Sequence, residues 1–197
     1  MAGMIAHLVR HAEKAPGPGD PGITLRGRTQ ALRAAQRLAP EQPAALFTSP
    51  QRRAAQTAAF MSARLGLVPR RDARLRERAN WGDAPGQSFA DFVAEWERCN
   101  EDRERIPPGG DSARAAGERL DAFLREQWRR APDATVIAVT HGGLIVDFLL
   151  NQMSRAELAR LDAEYTFLRN TSITSLAFDG QAYRVIAVGD AAHLVAT

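Results

Sequence analysis

The 197-residue chain predicts an α/β fold: a three-layer α/β/α sandwich with a mostly parallel central sheet and one antiparallel strand. Three observations lead there. Short apolar runs alternate with helical patterns along most of the length, as in units that set parallel strands side by side. The clearest strand, "ATVIAVT" at 134–140, runs straight into the helical pattern "HGGLIVDFLL". Near the end, "SITSLAF" and "QAYRVIAV" flank Asp179-Gly180, a pair suited to a tight hairpin turn, which adds an antiparallel strand.

Each element follows in order. "MIAHLVR" at 4–10 is short and mostly apolar, as expected of a strand covered on both faces. The prolines and glycines of "HAEKAPGPGDPGI" then force a loop. Thr24 is placed to cap a helix from Leu25 to about Leu38, with Leu25, Ala31, Leu32, Ala35 and Leu38 as its apolar face. "AALFTS" at 44–49 is a second strand. Ser49 is expected as the N-cap, and Pro50 as the first residue, of a helix running to about Leu65 and stopped by Gly66. A third strand is expected near 68–75. An amphipathic helix over 88–105 carries Phe89, Phe92 and Trp96 at helical spacing, which places these aromatics toward the core. Asp111 is read as the cap of a long helix to about Arg130, ahead of the strand at 134–140. The whole of 1–197 reads as one domain, with 80–110 as a small insertion or lid.

Composition narrows the function. Cys99 is the only cysteine, which fits a reducing compartment and a chain that folds without disulfides. The opening "MAGMIAHLVRH" has no charged start and no cleavage pattern, so no secretory leader is expected. No apolar run approaches the roughly 18 residues needed to cross a bilayer, and a cytoplasmic protein with no membrane partner is the expectation. The net charge of +3 comes with 25 arginines against one lysine, scattered through every segment. That dispersion argues against a nucleic-acid-binding stripe. Nothing in the pattern sets an oligomeric state.

Ligands of open parallel sheets bind beyond the carboxyl ends of the strands. Three predicted strands end in polar residues: Arg10 and His11 after the first, Ser49 with Arg52 and Arg53 after the second, and His141 after "VIAVT". Arginines, histidines and helix amino ends together favour an anion, phosphate above all. A histidine among such cations is pushed toward its neutral form, which keeps a lone pair able to attack phosphorus.

These residues carry a resemblance. "LVRHAEK" (8–14), "TSPQRRAAQTA" (48–58), "LRE" (75–77), "PPGGDS" (107–112) and "VTHGG" (139–143) are similar, in type and order, to the motifs of the histidine phosphatase superfamily, the phosphoglycerate mutase-like group. The likeness covers about residues 4–178 and implies that group's α/β/α fold. It implies a phosphoric monoester hydrolase of the histidine acid phosphatase type, acting without metal or cofactor on a small phosphorylated molecule through a phosphohistidine. His11 would be the nucleophile, with Arg10, Arg53 and His141 as phosphate ligands. Glu77 would protonate the leaving oxygen and then deprotonate water. Arg26 is a candidate rim residue for a second anionic group, as are Arg28, Arg76 and Arg78, although solvated surface arginine is the plainer reading of each. Departures exist: Ala12 stands where many members carry glycine, Asp111 where glutamate is frequent, and "PGPGDPG" replaces the longer mutase loop. The last departure favours a phosphatase. A mutase-type phosphotransferase and a non-catalytic phospho-ligand binding protein remain as alternatives.

Other motifs carry less. "CNEDRER" (99–105) matches a Cys-x5-Arg spacing, but its acidic residues within a predicted helix would repel phosphate. "GPGDPG" (17–22) has G-x-G-x-x-G spacing without a helix to follow, and its prolines lack amide protons. His7 shares a strand face with His11 but is expected to be a core histidine, not a metal ligand with His11 and His141. His193 carries no assigned role.

Overall fold

The computed structural model describes residues 3–162 and 164–194. Its elements in chain order are β1 (Met4–Arg10), α1 (Leu25–Leu38), β2 (Ala45–Thr48), α2 (Arg52–Leu65), β3 (Arg70–Arg71), α3 (Phe89–Glu101), α4 (Ala113–Arg130), β4 (Thr135–Thr140), α5 (Gly142–Gln152), α6 (Arg155–Leu161), β5 (Ile173–Phe178) and β6 (Tyr183–Asp190). The strands form one sheet in the order β3-β2-β4-β1-β5-β6. Pairings β2–β3, β2–β4 and β1–β4 are parallel, whereas β5 opposes both β1 and β6. A single strand therefore runs against the rest, delivered by the hairpin whose Gly180 takes φ 98°.

Alternation along β1 and β4 builds the two helical layers. Met4, Ala6, Leu8, Val136 and Ala138 point to α4 and α5, where they meet Leu120, Phe123 and Phe148. Val9, Ile137 and Val139 point the other way, to the alanine-rich faces of α1 and α2. Burying one such phenylalanine contributes about 1.5–3 kcal/mol, so this aromatic-filled side anchors the sheet, while the small residues opposite let α1 and α2 approach closely.

Several expectations shift. Thr24 does cap α1, its hydroxyl accepting from the Gly27 amide. However, Leu25 and Leu32 are 75% and 41% exposed, because the buried stripe runs through Gly27, Ala31, Ala34, Ala35 and Leu38 instead. Helix α2 begins at Arg52, not Pro50, and Ser49 is not its cap; the Arg52 amide donates to Asp20 Oδ2 at 2.6 Å. The third strand is two residues long, since the Asp72 carboxylate accepts from the Arg74 amide and folds the chain into a 3-10 turn over Ala73–Leu75. Ser112 caps α4 in place of Asp111, whose carboxylate is taken by Arg76 and Arg119. Helix α3 carries a capping box at Ser88 and Asp91, but its aromatics do not enter the core: Phe89 is exposed, and Phe92 and Trp96 are half-buried. Among the described residues, no helix is long and apolar enough to cross a membrane.

Candidate active site

Parallel register brings the polar strand ends together. Arg10 pairs with Thr140 across β1–β4, and Thr48 with Val139 across β2–β4. The ladder continues one residue further, the His11 amide donating to Thr140 O (2.8 Å) and the Ser49 amide to Val139 O (2.9 Å). Residues 11, 49 and 141 are thus neighbours although 38 or more positions separate them in sequence. Helices α2 and α5 start at the same edge and direct their positive ends into it.

His11 is buried, 6% exposed. Its Nδ1 is 2.8 Å from Ala12 O, and a carbonyl can only accept, so Nδ1 carries the proton. Nε2 is left with its lone pair and accepts from Arg53 Nε at 3.2 Å. Burial first, then the charges of Arg53 and Arg10, hold this imidazole well below the usual 6.5, against a smaller opposing effect of the Ala12 carbonyl. His141 is also fully buried and held low, by burial and then by Arg53. Its ring centroid lies 5.2 Å from that of His11, its Nε2 is 2.9 Å from Ser49 Oγ, and its Nδ1 has no partner among the described residues.

Arg53 spans the pocket. Besides His11, its guanidinium donates to Asn80 Oδ1 (2.6 Å) and Asp20 Oδ1 (3.3 Å). Its neighbour Arg52 is exposed. Arg10 donates to the Leu168 carbonyl, with its charge 5.9 Å from the Phe167 ring centroid. Burial lowers the pKa of both arginines, while Glu77 acts to raise it. Glu77 arrives from the 3-10 turn, which is pinned by Thr140 Oγ1 donating to Leu75 O at 2.7 Å. Its carboxylate accepts from the Gly143 amide (3.1 Å) at the start of α5 and from the Arg78 amide (3.0 Å), which fixes its orientation.

Arg10, His11 and Glu77 line a cavity of about 230 Å³ that runs toward α5, and a wider cleft of about 800 Å³ that also takes in Arg53. His141 sits directly beneath, against the His11 ring. Arg26 lines neither cavity: its side chain, 76% exposed and 3.5 Å from Glu13, stands in an adjoining groove with Arg33 and Arg169 that shares Arg10, Glu13 and Asn170 with the cleft. Arg28 faces the Phe60 ring, and Arg76 holds Asp111. Arg78 is no surface residue; it is among the largest fully buried side chains, donating to Asp147 Oδ1 (3.0 Å) and Asn100 (2.6 Å) and lying 3.7 Å from the Trp96 ring centroid.

Sequence reasoning missed several groups. Asp20 was visible only inside "GPGDPG"; Asn80 follows Glu77 closely in "ERAN" without a signal of its own. The stretch before β5 showed nothing, yet Asn170 donates to His11 O at 3.1 Å and Thr166 and Phe167 line the smaller cavity. Trp81, Phe89, Phe92 and Trp96 form a run of ring contacts, with centroids 5.1, 6.5 and 5.8 Å apart, along one wall of the cleft. His7 bonds Ser175 Oγ through Nδ1 at 2.9 Å. No group of three or more His, Cys, Asp and Glu able to hold a metal occurs among the described residues. Cys99 is buried in α3 with its thiol pKa raised by burial, the opposite of an activated nucleophile.

The packing around Glu77 leads to a first expected result. A Cβ at Gly143 would lie 2.5 Å from Trp96 Cη2 and 2.7 Å from Glu77 Oε1. Gly143→Ala is therefore expected to cost about 1–3 kcal/mol in denaturant unfolding, and to cut turnover by about 100-fold through displacement of Glu77. A second concerns pH. All four histidines are lowered, each chiefly by burial. Below about 6.5 the unfolded chain binds protons that these folded imidazoles refuse, so their contribution is present above that pH and lost as pH falls through it. Asp147, pushed up to about 7 by burial, acts in the opposite sense. Four groups oppose one, and unfolding at pH 5 is expected to need less denaturant than at pH 7.5, with the drop reduced in His141→Asn.

Comparison with known proteins places this geometry. A family model described as the histidine phosphatase superfamily (branch 1) matches residues 6–191. Glucosyl-3-phosphoglycerate phosphatase of Mycobacterium tuberculosis (strain ATCC 25618 / H37Rv) is 37% identical over 141 residues, 66% of this chain, and the match spans 63% of that relative's length. Phosphoglycerate mutase-like protein 4 of Arabidopsis thaliana is 30% identical over 206 residues, covering 96% of this chain and 86% of that protein. The solved structure of a mycobacterial glucosyl-3-phosphoglycerate phosphatase with VO3 superimposes with a TM-score of 0.72 at 29% identity, over 93% of this chain and 97% of that one.

Proposed function

The chain belongs to the histidine phosphatase superfamily, and from that premise we propose that it is a metal-independent phosphomonoesterase that hydrolyses a small-molecule phosphate ester through a phosphohistidine at His11. One observation carries the reading: a buried imidazole, protonated at Nδ1, presents an unprotonated Nε2 to Arg53 in a pocket shared with Arg10 and Glu77.

The residues divide the work. Arg10, Arg53 and His141 bind the phosphoryl oxygens, and the amino ends of α2 and α5 add to that field, so charge is stabilised without solvent reorganisation. Nε2 of His11 forms the bond to phosphorus as the bond to the alcohol oxygen breaks; protonated Glu77 gives its proton to that oxygen. Water then attacks the phosphorus, Glu77 takes the proton back, the P–N bond breaks and phosphate leaves. Segment 80–110 acts as the lid, its aromatic wall facing the alcohol portion of the ester. The single cysteine, buried and reduced, supports a cytoplasmic setting.

Water and a sugar-acid hydroxyl are the competing acceptors. The name of the mycobacterial relative favours water, and both His11 and Glu77 are in place, which disfavours a binding-only protein. The test is a panel of phosphate esters with chelator present, scored for released phosphate and for isomer exchange on phosphoglycerate. Phosphate release without exchange is expected. Activity that disappears on chelation, or exchange outpacing release, would count against the proposal.

A further inference from the structure

Among 26 lysines and arginines, one is lysine, and it stands in the cleft. Lys14 follows the nucleophile by three positions, on the loop between β1 and α1. Its half-buried ammonium has three donors, yet among the described residues it meets only two carbonyl oxygens, of Ala15 at 3.4 Å and Gly17 at 3.3 Å. Both acids of its own loop are engaged elsewhere: Glu13 with Arg26 and the Thr24 hydroxyl, Asp20 with Arg53 and the Arg52 amide. The other wall of the same cleft is α3, with Phe89, Phe92 and Trp96 beside one carboxylate, Glu97. A cation in a cleft whose hydrogen bonds are both long and both to carbonyl oxygens is stabilised by an anion from outside.

Arg10 and Arg53 already serve the phosphoryl group under the function proposed above, on which this step rests. We infer that Lys14 forms a leaving-group subsite, selecting phosphate esters whose alcohol bears a carboxylate. A compact ammonium suits such a subsite, since it binds as a point charge and follows the carboxylate of alcohols of different length, where a guanidinium fork demands one planar geometry. The cleft's size, about 800 Å³, leaves room beyond that carboxylate for a larger alcohol packed on the α3 aromatics.

The test compares 3-phosphoglycerate with glycerol 3-phosphate, which differ only in carboxylate against hydroxymethyl. For the parent chain, kcat/KM is expected to favour 3-phosphoglycerate by about tenfold or more, mainly through KM, the worth of one hydrogen bond to a charged group. Lys14→Gln is expected to bring the ratio to within about threefold of unity while leaving glycerol 3-phosphate turnover little changed, and Lys14→Arg to restore part of the preference. Equal losses on both esters would assign Lys14 to the phosphoryl group instead, and an unchanged ratio, or a parent without preference, would also overturn the subsite while leaving the phosphatase reading intact. Failure of the parent to hydrolyse either ester, or any other phosphate ester, would overturn that reading and the subsite with it.

Discussion

Replacing His11 with alanine is expected to lower kcat/KM by about 10,000-fold or more, a loss of at least ~5 kcal/mol of transition-state stabilisation. The reason is specific to the ring. Its Nδ1 proton is committed to the Ala12 carbonyl, and burial with two flanking arginines keeps Nε2 unprotonated, so every folded molecule near neutral pH presents a lone pair at the pocket. No neighbour can substitute: the His141 ring lies 5.2 Å behind, with its Nε2 engaged by Ser49. Binding should survive, since Arg10 and Arg53 remain; the variant is expected to bind inorganic phosphate within about tenfold of the parent and to stay folded by circular dichroism. His11→Asn, which retains a hydrogen-bonding group, is expected to be equally inactive. Rapid alkaline quenching of the parent during turnover should trap an acid-labile phosphoryl group on residue 11. Residual turnover in both variants, or no trapped intermediate, would rule out covalent catalysis at this position.

Glu77→Gln should produce a loss that depends on the leaving group. Alkyl phosphates need a proton on the departing oxygen and are expected to slow by about 100- to 10,000-fold. A p-nitrophenyl ester needs none, because its phenolate leaves unprotonated. Its first step should stay fast while the second, in which water must lose a proton to residue 77, becomes limiting. The expected signature is a burst of about one equivalent of p-nitrophenolate before a slow steady state, with no burst for an alkyl ester. The amide fits because one side-chain oxygen can still accept from Gly143 or Arg78, so geometry is largely kept. Uniform slowing across the panel, without a burst, would place Glu77 in phosphate binding rather than proton transfer.

Different parts of the fold were legible for different reasons. Helix starts and stops that depend on one residue's local chemistry, such as Thr24 before α1 and Gly66 after α2, could be read directly, because a cap satisfies amides within a few positions. Ser49 looked like an equally good cap and is not one: α2 starts at Arg52 with Gln51 as its N-cap, so the Ser49 hydroxyl accepts only the Gln51 amide ahead of the helix and is shared with His141 from the end of β4. Asp111 likewise loses its capping role to distant Arg76 and Arg119. The aromatics of α3 followed helical spacing faithfully, yet periodicity reports only that one face is apolar. It cannot distinguish a face turned to the core from one turned to a cleft.

By itself, then, the order of apolar runs determined the α/β alternation, the strand ends determined where His11, Arg53 and His141 would converge, and the residue types determined a preference for phosphate. Those features depend on period and position along the chain, which local sterics and burial impose. Tertiary structure alone decided that Arg26 stands in a groove adjoining the cleft, that Arg78 is buried against Asp147, and that Asp20 and Asn80 reach Arg53. These are matters of side-chain reach across elements brought together from distant parts of the chain, set by how closely the layers pack.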